Sequence, residues 1–338
     1  MRGLFSLLAG LMIFSSSFAD SVDDYVQEKM ASDHLPGVVF AVVDPSGNAS
    51  YREYGVANRL TGEKFTKKSV HRIASLSKQM CSYVLLNLEK EGKLSLDDEI
   101  LKWYPKGPET WKGITIRHMM SHCSGIPDPN DFNYEKEYSV DEYVAMLGKS
   151  PLDNPPGSKF KYSNYAYGLL GDLAGKAGGS TLHELAKKYI FGPLGMDRTG
   201  YYLKGEKYSD EVFAYYWEKG KYVDALRVRP VMFSGSGGVH STLTDMVKYE
   251  LALRSGKLDR ALLDQQWTPH FPKLGIYGYG WYADQGSLRH TGTTFGFTSA
   301  YYRERPDGWS IILFRNSNTG SQMDMATDVL KLWRAQIS

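Results

Sequence analysis

The spacing of hydrophobic positions changes character along this chain. Val38 to Val43 is an unbroken apolar, largely β-branched run, and Asp44-Pro45-Ser46-Gly47-Asn48 follows as a turn cluster. Ser50 to Val56 then reads as a second strand, so the pair predicts a hairpin. Near the other end, Thr298 to Tyr302 and Trp309 to Phe314 form a second strand pair around Pro306-Asp307-Gly308. Helical spacing brackets both pairs. Residues 20–33 carry a broken stripe of Val22, Tyr25, Val26 and Met30 that ends at Pro36-Gly37, and residues 322–336 are amphipathic. Between Ser75 and about Lys188, helical segments alternate with loops such as Asp128-Pro129-Asn130-Asp131 and Asp153-Asn154-Pro155-Pro156-Gly157. Strands at both ends with helices between them predict an α+β chain: a sheet built from the two termini and a mostly helical lobe inserted between.

The first residues follow a different logic. A short basic start at Arg2, the mostly apolar stretch Leu4 to Phe18 and the small residues of Ser17-Phe18-Ala19 have the layout of a secretory leader, cleaved near Ala19/Asp20. The apolar stretch falls short of the roughly 20 residues that a membrane span needs. Residues 1–19 are therefore expected to be a signal peptide and the mature chain to be secreted or periplasmic, with no stable membrane span.

Composition narrows the function classes. The 338 residues hold 40 Lys+Arg against 38 Asp+Glu, with the basic residues scattered, so no nucleic-acid-binding surface is advertised. Two cysteines cannot build a four-cysteine zinc site or a disulfide-stapled miniprotein. Cys81 and Cys123 are read as two buried free thiols in preference to a bridge, which sequence alone cannot place.

Several hydrolase signals are absent. No serine has glycine at both −2 and +2, so the nucleophile elbow is missing. His183-Glu184 opens like a zinc-protease helix, yet Lys187 stands where the second histidine belongs. Gly235, Gly237 and Gly238 follow no phosphate-loop spacing. Neither a metal nor a cofactor is implied.

Ser75-Leu76-Ser77-Lys78 points elsewhere. A spacing of three puts Ser75 and Lys78 on one helix face, where an ammonium favours the deprotonated hydroxyl. Leu76, Met80, Val84 and Leu88 continue the helix as a buried stripe, and Gly92 is a natural stop. Alone the motif is cheap, since Ser158 to Lys161 repeats it in a Pro/Gly-rich loop. Two further elements change its weight. Tyr162-Ser163-Asn164 supplies a phenol and an amide, and His290-Thr291-Gly292 precedes a strand-like stretch whose backbone can donate an N–H to a carbonyl. Nucleophile, cation, phenol, amide and backbone donor together make an acyl-transfer set.

In that order and spacing, the chain resembles the serine β-lactamase and penicillin-recognising DD-peptidase superfamily, in its class-C-like group that includes DD-carboxypeptidases and esterases. The segment Ile114 to Ile126, Pro156-Gly157, Pro193-Leu194-Gly195-Met196, Gly237 to Thr242 and His290 to Phe297 extend the likeness over nearly the whole chain. The resemblance implies an antiparallel sheet flanked by N- and C-terminal helices (about 20–72 and 228–338) plus an inserted helical lobe (about 73–227). It implies Ser75 as nucleophile, Lys78 as its activating partner and Tyr162 as proton shuttle. Asn164, His290, Thr291, Gly292 and Thr293 would face substrate, with the Ser75 and Thr293 N–H groups as oxyanion hole. His290 stands where the superfamily carries lysine. The implied substrate is a small peptide, a β-lactam or an ester. D-Ala-D-Ala carboxypeptidase or transpeptidase-like chemistry on peptidoglycan-type peptides leads; a class-C-like β-lactamase, a carboxylesterase and a non-catalytic binding relative are the alternatives.

Overall fold

The computed structural model describes residues 21–129, 131–202, 208–228 and 231–337. The expected leader, residues 1–19, lies outside the described residues. In chain order the strands are β1 (Gly37–Val43), β2 (Ala49–Asn58), β3 (Glu63–Lys64), β4 (His71–Arg72), β5 (Gly200–Tyr201), β6 (Tyr215–Glu218), β7 (Lys221–Asp224) and β8 (Val239–Ser241). Then follow β9 (Tyr282–Ala283), β10 (Ser287–Thr294), β11 (Phe297–Glu304) and β12 (Ser310–Arg315). The longer helices are α1 (Ser21–Ser32), α2 (Ser77–Lys90), α3 (Val140–Leu147), α4 (Asn164–Gly178), α5 (Leu243–Ser255) and α6 (Gln322–Ile337).

Both chain ends meet in one antiparallel sheet, ordered β3-β2-β1-β12-β11-β10-β9. Val39 of β1 lies opposite Glu53 of β2 on one side and Phe314 of β12 on the other. Every residue of β1 is buried, and its alternate side chains serve two cores. Val38, Phe40 and Val42 pack with Val22 and Val26 of α1 and with Met325 and Val329 of α6. Val39, Ala41 and Val43 face the larger core, which includes Met246 and Val247 of α5. A strand covered on both faces has no polar side to alternate with, which is why Val38 to Val43 reads as a continuous apolar run.

A buried ion cluster ties α5 to the sheet. The fully buried Glu250 takes Arg254 Nε at 2.5 Å, Arg303 Nε of β11 at 3.3 Å and the Tyr301 hydroxyl. Such a cluster costs desolvation but penalises any shift of helix against strand, since a moved partner would leave a buried charge unpaired.

The middle of the chain holds more strand than its pattern suggests. A three-stranded sheet, β4-β8-β5, and the β6-β7 hairpin lie among the helices. Strands of two to four residues are too short to establish a period, so they leave no trace in the hydrophobic pattern. Among the described residues no helix is long and apolar enough to cross a membrane. Cys81 and Cys123 are free and buried, as read from the sequence.

His71 of β4 sits where two sheets meet. Its ring stacks on Phe314 (4.7 Å between centroids) and on Phe65 (5.7 Å), and its Nε2 donates to the Arg315 carbonyl at 3.0 Å. Burial pushes its pKa from 6.5 down to about 3. Between those values the unfolded chain binds a proton that the folded chain refuses, so stability falls as pH drops through that window. His71→Phe should flatten the slope of Tm against pH between 7 and 4. Parallel slopes for the variant and the parent protein would show that His71 is not among the groups responsible.

Candidate active site

The turn before α2 is built under strain. Ala74 adopts φ 50°, a left-handed conformation that non-glycine residues rarely take, and Ala74–Leu76 forms a single 3₁₀ turn leading into α2. Its neighbours hold it. Ile73 N–H donates to the Val239 carbonyl (3.0 Å), and the Ile73 carbonyl accepts from Ser299 Oγ of β11 (2.8 Å). Ser77 Oγ donates to the Ala74 carbonyl at 2.6 Å and accepts from Val239 N–H at 3.0 Å. Gly292 of β10 completes the packing: a Cβ there would strike the Ile73 carbonyl and Ser299 Oγ. Ser75 is thus presented from a turn clamped by both sheets.

Lys78 lies one helical step on and is fully buried. Its Nζ reaches Ser75 Oγ at 3.1 Å, Asn164 Oδ1 at 2.8 Å and the Ser236 carbonyl at 2.7 Å. All three partners are neutral, and burial holds the amine well below the ordinary lysine pKa. Tyr162 is packed beside Lys78, whose Nζ lies 4.8 Å from the centre of its ring. Burial pushes the Tyr162 phenol upward in pKa, against the smaller opposing effect of the neighbouring Ser75 side chain.

The Ser236 carbonyl reaches Lys78 because glycines let its segment lie against α4. A Cβ on Gly168 would strike the Met232 carbonyl, one on Gly171 would come within 2.8 Å of Gly235 N, and one on Gly235 would strike the Tyr167 carbonyl. Asn164 opens α4, whose N-cap Ser163 accepts from Ala166 N–H at 3.2 Å. Ser163 N–H donates in turn to Nδ1 of the buried His122 (3.1 Å), and the His122 ring lies 4.2 Å from that of Tyr162.

His290 lies inside β10 rather than ahead of a strand. Its Nδ1 is 2.6 Å from the Thr291 carbonyl and its Nε2 is 3.0 Å from the Tyr277 hydroxyl. A carbonyl can only accept, so Nδ1 carries the proton and Nε2 accepts from Tyr277. Burial, with the nearby Lys78, lowers its pKa to about 3. The imidazole is neutral and both nitrogens are occupied.

Ser75, Asn164, Ser236 and Thr293 border a cavity of about 390 Å³. Aromatic side chains also line it: Tyr134, Tyr202, Tyr216, Phe233 and Phe295. Arg72 is the one charged residue among its described lining residues, and its guanidinium donates to the Val228 carbonyl at 2.9 Å. Among the described residues no group of three or more His, Cys, Asp or Glu side chains could hold a metal ion.

Comparison with known proteins gives this arrangement a family. The Beta-lactamase family model matches residues 22–332. The chain belongs to the Beta-lactamase family. Among curated relatives, this family member is 25% identical over 304 residues to penicillin-binding protein 4* of Bacillus subtilis, covering 82% of this chain and 67% of that protein. It is 30% identical over 256 residues to the D-alanyl-D-alanine-carboxypeptidase/endopeptidase AmpH of Escherichia coli (73% of this chain, 65% of AmpH). It is 28% identical over 210 residues to esterase EstB of Burkholderia gladioli (55% and 52%). The chain spans about two thirds of the length of its first curated relatives, 63% to 67%. Its fold matches an octameric penicillin-binding protein homologue from Pyrococcus abyssi, with TM-score 0.79 and 24% identity over 93% of this chain and 77% of that one.

The structure brings Ser75, Lys78, Tyr162 and Asn164 together. Of the β10 residues expected to face substrate only Thr293 lines the cavity: His290 is buried with its ring 6.0 Å from that of Tyr162, Gly292 packs on Ile73, and Thr291 is not among the lining residues. Sequence reasoning missed the Ser236 carbonyl, His122 and Tyr277. The three glycines 235, 237 and 238 were the available signal for the first, since clustered glycines mark close backbone approach. Gly235→Ala should force the Ser236 carbonyl away from Lys78. Overpacking of this kind costs roughly 1–3 kcal/mol, so a lower Tm and at least a tenfold slower labelling by a fluorophosphonate are expected. Unchanged labelling in a folded variant would show that this carbonyl does not hold the amine.

Proposed function

We propose that this family member is an acyl-transfer hydrolase working through an acyl-enzyme on Ser75. The observation that carries the reading is the environment of Lys78. Two of its three partners, Asn164 Oδ1 and the Ser236 carbonyl, are acceptors. An uncharged amine spends its two N–H donors on them, which leaves its lone pair facing Ser75 Oγ–H at 3.1 Å. Burial without a carboxylate partner favours that uncharged form. Lys78 then takes the Ser75 proton as Oγ adds to the substrate carbonyl carbon. The backbone N–H groups of Ser75 and Thr293 receive the oxyanion. Tyr162, kept protonated by burial, donates its proton to the leaving group and is reprotonated from Lys78, so the leaving group gains one proton for the one that Ser75 gave up. Water then clears the acyl group by the same path in reverse.

For the substrate, the leading reading is a peptidoglycan-type D-Ala-D-Ala peptide, met by a mature chain exported after cleavage near Ala19. The AmpH likeness supports it. One observation favours a second reading, carboxylesterase: neutral, fully bonded His290 offers no cation for a substrate carboxylate where the superfamily carries lysine. A chromogenic cephalosporin, an acyl-D-Ala-D-Ala peptide and a p-nitrophenyl ester measured side by side decide between them. Turnover of the ester alone would remove the DD-peptidase reading.

Ser75→Ala should abolish labelling of the purified protein by fluorescent penicillin or fluorophosphonate; undiminished labelling sinks the mechanism. Tyr162→Phe should lower kcat by about 10²-fold or more. Activity should rise with pH through the depressed Lys78 pKa. His290, titrating at about 3, should add no limb between pH 5 and 8. A limb in that range lost in His290→Gln would contradict the neutral imidazole.

A further inference from the structure

The β10–β11 reversal carries a residue its geometry does not favour. Thr294 pairs with Phe297, leaving Phe295 and Gly296 as the two turn residues, with φ 40° and 79°. Positive φ at both positions is the geometry that asparagine or glycine followed by glycine adopts without penalty. Gly296 answers that demand: a Cβ there would come within 2.9 Å of Ala225 and 3.0 Å of Tyr215. Phe295 does not. A bulky residue at positive φ is an outlier that persists only when its surroundings hold it, and such outliers gather at functional sites.

The Phe295 ring is only partly buried, so core packing does not account for it. It stands in the wall of the cavity that Ser75 borders. Tyr134 meets it edge-on at 5.5 Å (83°) and lies 5.6 Å from Phe233. The Tyr134 hydroxyl is anchored on that of Tyr165 at 3.3 Å. Three separate segments therefore contribute one continuous aromatic face, two residues beyond Thr293. The face carries no charge. Rings that meet edge-on and tilted leave room for another ring to stack or insert at low cost.

We propose that Phe295 is a specificity-determining residue that seats an aromatic acyl substituent of the substrate against Tyr134 and Phe233, beside Ser75. This rests on the acyl-enzyme reading above and is independent of whether the leaving group is an amine or an alcohol. The backbone strain at Phe295 is the cost of placing that ring.

The test compares p-nitrophenyl phenylacetate with p-nitrophenyl acetate, which share a leaving group and differ only in the acyl side. The parent protein should favour phenylacetate in kcat/KM. Phe295→Asn, which suits the turn, should lower that ratio about tenfold, the scale of losing an apolar contact in a pocket, with Tm kept or raised. Phe295→Tyr should restore the ratio. A ratio unchanged in Phe295→Asn, or a parent protein without preference, overturns the proposal. So does a lower Tm with the ratio intact, which would make the ring a structural plug. If Phe295→Asn fails to fold, Tyr134→Leu must lower the ratio instead. Should neither ester turn over, competition between phenylacetyl- and acetyl-bearing phosphonates for Ser75 gives the same ratio. Absence of any label on Ser75 in the parent protein overturns the acyl-enzyme reading itself, a result distinct from loss of selectivity.

Discussion

A lysine side chain buried without an acid to pair with is the constraint around which the rest of this molecule is arranged. Desolvation alone would expel the Lys78 amine from the interior or strip its proton. It stays because three neutral polar groups from three parts of the chain converge on it: the Ser75 hydroxyl before α2, the Asn164 amide at the start of α4 and the Ser236 carbonyl of the 234–237 turn. None is charged, so none restores the ordinary pKa. A carboxylate in place of any of them would stabilise the ammonium and remove the uncharged amine that the proposed mechanism uses. The neutral surroundings are therefore a chemical requirement as much as a packing outcome, and the glycines at 168, 171 and 235 are the backbone's means of meeting it.

The turn that carries Ser75 is fixed by strands from separate parts of the chain. Ile73 is the seam. Its N–H is held by Val239 of β8 and its carbonyl by Ser299 of β11, so the turn carrying Ser75 is pinned between a short sheet from mid-chain and a long sheet from the termini. The long sheet resists deformation because β1 is covered on both faces and because Glu250 locks α5 onto β11. A strained turn such as Ala74 holds its geometry only against a frame that cannot relax toward it.

This frame was largely legible from the chain, for a definite reason. β1 and β12 are buried on both faces and write long apolar runs, while α1 and α6 each bury a single stripe, so element type and order could be read directly. Ser75, Lys78, Tyr162 and Asn164 were legible because each contributes a side chain at a fixed local spacing. The Ser236 carbonyl was not, since a backbone group has no residue signature. The tautomer of His290 was hidden too, because it is set by Tyr277, thirteen residues away in the chain, and by a carbonyl whose direction depends on strand register. Sequence marks the chemistry a residue can bring. The partners that decide which form of that chemistry is present arrive through tertiary contact.

His290 shows the difference. As an imidazole in a motif that elsewhere carries lysine, it could act as a cation, a donor or a filler. Once Thr291 fixes the proton on Nδ1 and Tyr277 caps Nε2, it is an uncharged, saturated ring, and the anion-attracting power of the groove must come from elsewhere. The remaining candidates differ in kind. In the proposed mechanism the backbone N–H groups of Ser75 and Thr293 would serve a developing oxyanion, and in the proposed subsite the aromatic wall ending in Phe295 would serve an apolar acyl group. Neither is a cation, and Arg72, the one charged residue among the described lining residues, has its guanidinium hydrogen-bonded to the Val228 carbonyl and 3.7 Å from the Glu211 carboxylate. A groove of this kind, with its strain placed in the proposed acyl wall, would discriminate among substrates by shape and apolar contact rather than by net charge. On the proposed reading selectivity would rest on Phe295 and the rings it meets, and could change without touching the amine on which the proposed chemistry depends.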